Sequence, residues 1–316
     1  MKTGNIFVYI FFASVALMVF SGCKSEGQLS AEVDPGPTFD NTALGQKQKL
    51  FFDKYNVRFQ YKWDRNAFAR NAVANPANEE DVLPYMEIMD ELFFKAFDAV
   101  AEDKLFANTK TPLSIYLIGS GINYGGSEDF GESTVGQAGN IQPNRLTLGG
   151  LSDFGSILRQ KGNDAQFLNM IYESATFSNP GQAGLIGFLY HEYAHYLNTR
   201  FDIPTTFALA AVANYLKGSN AYQNVSNTEA YEKGFFIPYG MQNEMEDFAT
   251  YVQIMVWTSP EEIQRTYIKS EMSRIKYNEV NKFFVTLGID LNKLRIYLQS
   301  SQVKDRLITI KRKYEI

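Results

Sequence analysis

The tightest constraint in this chain is the segment Leu189-Tyr190-His191-Glu192-Tyr193-Ala194-His195-Tyr196, which contains an H-E-x-x-H pattern. Residues four apart on an α-helix lie one above the other on the same face. On such a helix His191 and His195 turn two imidazole nitrogens toward one point, with Glu192 beside them. The arrangement suits a zinc ion held by both imidazoles, with Glu192 placed as general base toward an attacking water. Both of the chain's two histidines fall in this one motif, so composition argues for a site rather than a coincidence. The competing reading is a buried helix whose histidines satisfy backbone carbonyls. A buried histidine pair without a partner is costly.

The flanking residues predict a central, largely buried helix over about residues 180–199. Asn179-Pro180 reads as an N-cap followed by proline at the first helical position. Leu185, Ile186, Leu189, Tyr193, Tyr196 and Leu197 make the remaining sides apolar. Gly184 shares the histidine stripe and Gly187 lies beside it, small enough to admit a strand or a substrate backbone.

A catalytic zinc takes three protein ligands, and the histidine count leaves only a carboxylate for the third. The best segment is Asn243-Glu244-Met245-Glu246-Asp247-Phe248-Ala249. Met241, Met245, Phe248, Val252 and Met255 form the apolar stripe of a helix there, and Glu246 lies beside that stripe near the small Ala249. Glu244 and Asp247 point elsewhere, either into solvent or behind the ligands. Negative charge developing on an attacked carbonyl oxygen needs a second electrophile, and a tyrosine or arginine has to serve. Tyr239, seven residues before Glu246 in the Pro238-Tyr239-Gly240 turn, is the candidate; the alternative is a packing role among 19 tyrosines.

Residues 1–22 read as a signal peptide. Lys2 supplies the positive end, Ile6 to Phe20 the apolar run, and Phe20-Ser21-Gly22-Cys23 a lipobox. Cys23 is the only cysteine, so no intramolecular disulfide can form, and its position favours acylation and membrane anchoring. An ordinary secretory peptide or an N-terminal membrane helix are the alternatives. Residues 23–41, rich in Gly, Ser, Pro and acidic residues, read as a flexible tether.

Residues 42–316 are enough for one domain, with an N-terminal lobe over about 42–179, the zinc helix, and a mostly helical C-terminal lobe over about 200–316. Alternation of Val57, Phe59, Tyr61 and Trp63 with polar residues predicts a strand. A helix follows from Asn75-Pro76 or Asn78 to about 102, then a buried strand at 113–118 and a helix over 156–174. Residues 119–155 hold ten of the 23 glycines, a composition of functional loops or surface excursions. Within them Arg145 to Leu148 could be a strand at the cleft edge, able to pair with an extended peptide. Helices are expected at about 205–217, 241–258, 260–287 and 290–311, with Gly218 and Gly288 as stops. The class is therefore α+β, with a small mixed sheet/helix lobe before the zinc helix. The net charge of −5 argues against nucleic acid as the main partner.

Five features occur in order: the lipobox, Lys54 to Trp63 (KYNVRFQYKW), His191 to His195 (HEYAH), Gly234 to Tyr239 (GFFIPY), and Glu246-Asp247-Phe248-Ala249. Together they resemble the substrate import-associated zinc metallohydrolase lipoproteins of Bacteroides-type bacteria, over nearly the whole mature chain. Residues 243–249 also resemble the ligand helix of gluzincin proteases such as anthrax lethal factor, where the glutamate of E-x-F-A binds zinc. That match falls on Glu246, and the same seven-residue offset places Tyr239 as the oxyanion tyrosine. Asp247 departs from the pattern, which has an aromatic there, so no role carries over to it.

The resemblance implies a zincin-like metallopeptidase fold, a zinc cofactor, and a peptide or protein substrate. It also implies an outer-membrane lipoprotein, surface-exposed or periplasm-facing, beside a TonB-dependent transporter and its glycan- or peptide-capturing lipoprotein. Two rivals stay open: a non-catalytic zinc-containing binding lipoprotein, and a zinc hydrolase of a non-peptide amide bond.

Overall fold

The computed structural model describes residues 36–68, 72–122, 144–172, 184–216 and 221–316. The expected signal peptide, Cys23, most of the tether, Asn179-Pro180, Gly218 and much of the glycine-rich stretch lie outside the described residues. The described residues between Phe39 and Ile316 pack as one compact unit.

Helix α1 (Ala43–Tyr55) starts at Thr42, whose side chain accepts from the Gly45 amide, and stops at Asn56 in the left-handed conformation. Strand β1 (Arg58–Gln60) follows. Helix α2 (Glu79–Met89) runs through a π-helical segment (Asp90–Phe94) into α3 (Lys95–Val100), and α4 (Phe106–Thr109) leads to β2 (Ser114–Leu117). Strand β3 (Arg145–Leu148) precedes α5 (Leu151–Arg159) and α6 (Asp164–Tyr172). The motif helix is α7 (Gly184–Asn198). Beyond it come α8 (Thr205–Ala210), α9 (Asn227–Glu232), a 3-10 turn (Pro238–Gln242) and α10 (Glu244–Met255). The chain closes with α11 (Pro260–Thr266), α12 (Glu271–Thr286), α13 (Leu291–Leu298) and α14 (Ser301–Lys313).

The described strands form one parallel sheet in the order β1-β2-β3, and the connection from β1 to β2 crosses over through α2, α3 and α4. The sheet and the helices around it make up the small sheet/helix lobe expected from sequence. Period two divides its faces: Ile115, Leu117, Leu146 and Leu148 enter the main core, while Tyr116 and Ile118 join Phe68 and Trp63 in a second cluster. Strand β3 packs against α7.

Other boundaries move for local reasons. The expected strand over 57–63 keeps only 58–60, because Trp63 leaves the alternation to stack on Phe68. The helix expected from 156 begins at Leu151 and breaks after Arg159, where Gly162 has a φ of 71°. The 205–217 helix ends at Ala210, the 260–287 helix is split by Ser270, and the 290–311 helix is split by Ser300. Each serine starts a new helix by accepting a backbone amide of the turn that follows.

Helix α7 is buried from Gly184 through Leu197. Three of its tyrosines tie it to the N-terminal half of the chain by donating to backbone carbonyls. Tyr190 bonds Leu92 at 2.9 Å, Tyr193 bonds Lys110 at 2.9 Å, and Tyr196 bonds Thr111 at 3.0 Å. Leu92 lies in the π-helical segment. Gly184 serves differently from expectation: a Cβ there would stand 2.5 Å from the Ile171 carbonyl oxygen, so it admits the end of α6 rather than a strand or substrate.

Candidate metal centre

His191 and His195 leave α7 on one face, as their spacing requires. Helix α10 packs along α7 and brings Glu246 to the same point. His191 Nε2 lies 3.1 Å from His195 Nε2, and Glu246 Oε2 lies 3.2 Å from the first and 3.3 Å from the second. Glu244 is exposed, so only one carboxylate of the 244–247 group reaches the site. Met245 is 51% exposed and drops out of the expected apolar stripe, while Phe248, Val252 and Met255 remain in it. The first turn of α10 is set by Asn243, whose side chain accepts from the amides of Met245 and Glu246 at 3.0 Å each.

The orientation of His191 is fixed from behind. Its Nδ1 lies 3.0 Å from Gln253 Oε1, which as an acceptor requires the proton on Nδ1 and leaves the Nε2 lone pair facing Glu246 and His195. Gln253 was not among the residues expected from sequence. Its signal was available, since it follows Glu246 by seven residues and so shares its helix face two turns on.

Three lone-pair donors facing one another repel unless a cation or a proton lies between them. Burial lowers the His191 pKa, with the His195 charge adding to that effect and Glu246 opposing it. In His195 the depression from burial is outweighed by Glu246 and Glu192, which together raise its pKa above the ordinary imidazole value. Burial alone would raise the Glu246 carboxyl, but the His191 and His195 imidazoles beside it hold it well below the usual range. The same donor set fits zinc. With bonds of about 2.0–2.1 Å, a tetrahedral zinc site has ligand-to-ligand edges of about 3.3–3.4 Å, close to the three spacings found here. Among the described residues the cluster holds three ligands, leaving a fourth corner for water or substrate.

Glu192 is buried on α7, and its charge is felt by both His195 and Tyr239. Tyr239 stands in the 3-10 turn before α10, its ring 6.0 Å from that of His191 and edge-to-face with Tyr222 at 5.2 Å. Burial raises its phenol pKa, and the charges of Glu246 and Glu192 raise it further, so it stays protonated as a hydrogen-bond donor. Cys23, the remaining expected functional residue, lies outside the described residues.

Asp247, expected either in solvent or behind the ligands, is fully buried. It accepts from Lys276 at 2.6 Å and from Tyr215 at 2.8 Å, and Lys276 is itself without exposure. Neither partner was singled out from sequence, because each lies about 30 residues away in the chain.

A crystal structure of a “putative zinc-binding metallo-peptidase” from Bacteroides caccae is similar to this chain in fold. The TM-score is 0.54 at 20% sequence identity, covering 87% of this chain and 97% of that one. No curated protein matches the chain. The model of a family described as “Putative zinc-binding metallo-peptidase” matches residues 47–286, which takes in all three candidate ligands, and the chain belongs to that family.

Proposed function

We propose that the chain is a zinc metallopeptidase of gluzincin type, anchored to the outer membrane through a lipid on Cys23 and working beside a nutrient-import system. The observation that carries the catalytic part is the convergence of His191, His195 and Glu246 at zinc-tetrahedron spacing with Glu192 and Tyr239 alongside. Zinc held by His191, His195 and Glu246 would supply a Lewis acid and would lower the pKa of a bound water. Glu192 takes the proton of the attacking water and later returns it to the leaving amine. Tyr239 donates its hydroxyl to the carbonyl oxygen as negative charge develops on it. Strand β3, an edge strand among the described residues, lies against α7, where an extended peptide can pair with its backbone. A purely structural zinc would take a fourth protein ligand and have no use for a buried Glu192.

The test is cleavage of a peptide library by purified residues 24–316 with zinc, beside Glu192→Gln. Wild type should cut peptides, and the variant should keep about one zinc but lose hydrolysis. Zinc-loaded wild type that cuts no peptide would overturn the peptidase reading.

The lipobox carries the anchoring part. Cys23→Ser should abolish lipid labelling and release the chain from the membrane fraction. Unlabelled wild type that nonetheless stays with membranes would refute it. Association with an import system rests on the family resemblance alone, and co-purification with a TonB-dependent transporter is its test.

A further inference from the structure

Lys276, in the middle of α12, is a fully buried cation that the proposed mechanism does not use. Its ammonium lies 3.9 Å from the Phe235 ring centroid and 5.4 Å from those of Phe207 and Tyr215, so an aromatic cage takes the place of water around it. Its ion-pair partner, Asp247, is equally buried. Lys311, also without exposure among the described residues, differs in pairing with Glu315, which retains some exposure.

Burying both members of an ion pair is costly, and apolar replacements of such pairs are often neutral or stabilising. Stability is therefore a poor reason for this one. What a buried ion pair does supply is a fixed direction between two elements. Asp247 follows Glu246 on α10, and consecutive residues on a helix point about 100° apart. Holding Asp247 on the α12 side therefore turns Glu246 toward α7. The same turn of α10 supports Tyr239: a Cβ on Gly240 would stand 3.2 Å from Asp247 Cα and 2.8 Å from Thr250 Oγ1, so the Tyr239 turn rests directly on it.

We propose that Lys276 is a positioning residue. Through Asp247, with the Tyr215 hydroxyl as second tie, it sets the rotation of the first turn of α10 and so the approach of Glu246 and Tyr239 to the metal centre. The inference rests on the zinc reading above.

The test replaces the pair by apolar side chains of similar shape, Lys276→Met with Asp247→Leu, in the full chain. Three quantities are read: melting temperature, zinc affinity by chelator competition, and the visible spectrum of the cobalt-loaded protein, which reports coordination geometry. The double variant should melt near wild type, bind zinc roughly 10- to 100-fold more weakly, and show an altered cobalt spectrum. A structural role would move the first reading and leave the others. Tyr215→Phe, a milder change, should weaken zinc binding on the order of threefold.

A folded double variant with wild-type zinc affinity and cobalt spectrum would overturn the proposal. If the double variant does not fold, wild-type zinc affinity in Tyr215→Phe overturns it instead. Wild type that binds no zinc, or binds it unchanged in His191→Ala, would overturn the metal site itself and the positioning role with it.

Discussion

The two helices that meet at the metal centre are held in unlike ways. Helix α7 is buried along nearly its whole length and is tied to the N-terminal half by three tyrosine hydroxyls. Helix α10 starts with Glu244 and Met245 exposed, and its first turn is held by the Asn243 cap and the Asp247–Lys276 pair. The difference follows from what each contributes. The two histidines are brought together by helical spacing alone, so α7 needs only to be placed. Glu246 comes from another part of the chain and has to be aimed, which requires directional contacts.

The largest expected effect tests the aimed side. Tyr239→Phe should retain zinc and fold but lower kcat roughly ten- to a thousandfold, the range for losing one oxyanion donor. Near-wild-type turnover with zinc bound would reduce the turn before α10 to packing.

Gln253 sharpens the comparison because it sits on α10 yet orients a ligand of α7. Gln253→Leu should weaken zinc binding by about 10- to 100-fold, measured by chelator competition, because His191 loses the acceptor that sets its tautomer. Unchanged affinity would mean that α7 orients its own ligands and the two helices meet only at Glu246.

The smallest effect concerns the placed side. Tyr190→Phe should cost about 0.5–1.5 kcal/mol, read by denaturant unfolding, for the bond to Leu92. Burial raises the hydroxyl pKa values of Tyr190 and Tyr193 well above their ordinary value, and pushes Tyr267 up to about 12. Unfolded tyrosines titrate near ~10, so these groups stabilise the fold fully below that pH and lose their contribution as pH rises through the folded values. Tyrosinate absorbance should therefore rise in two steps, exposed tyrosines first, the second step together with loss of the helical signal. Complete ionisation in a chain that is still helical would contradict the burial of these tyrosines.

Much of the site could be read from residue types before any fold was considered. His191, Glu192 and His195 needed only the helical repeat, and the count of two histidines pointed to a carboxylate as third ligand. Glu246 was separable from Glu244 and Asp247 because neighbouring residues on a helix face different ways. The apolar stripe was less reliable: Met245 fits its spacing but stands in solvent, since periodicity reports which residues share a face and not whether anything covers it. Helix breaks at Ser270 and Ser300 were missed because serine is tolerated inside helices and becomes a start signal only when its side chain finds the following amides.

By itself, then, the sequence determined the chemistry on offer: two imidazoles and a base on one helical face, one candidate carboxylate, and a tyrosine at a suggestive offset. Only the tertiary structure decided which groups stand where. It brought α10 along α7, placed Gln253 behind His191, and buried Asp247 against Lys276 and Tyr215. The reason is range. A helix repeats every 3.6 residues, so contacts within a turn or two are encoded in spacing. Contacts between residues 29 to 62 positions apart depend on how whole helices pack, and no local pattern carries them.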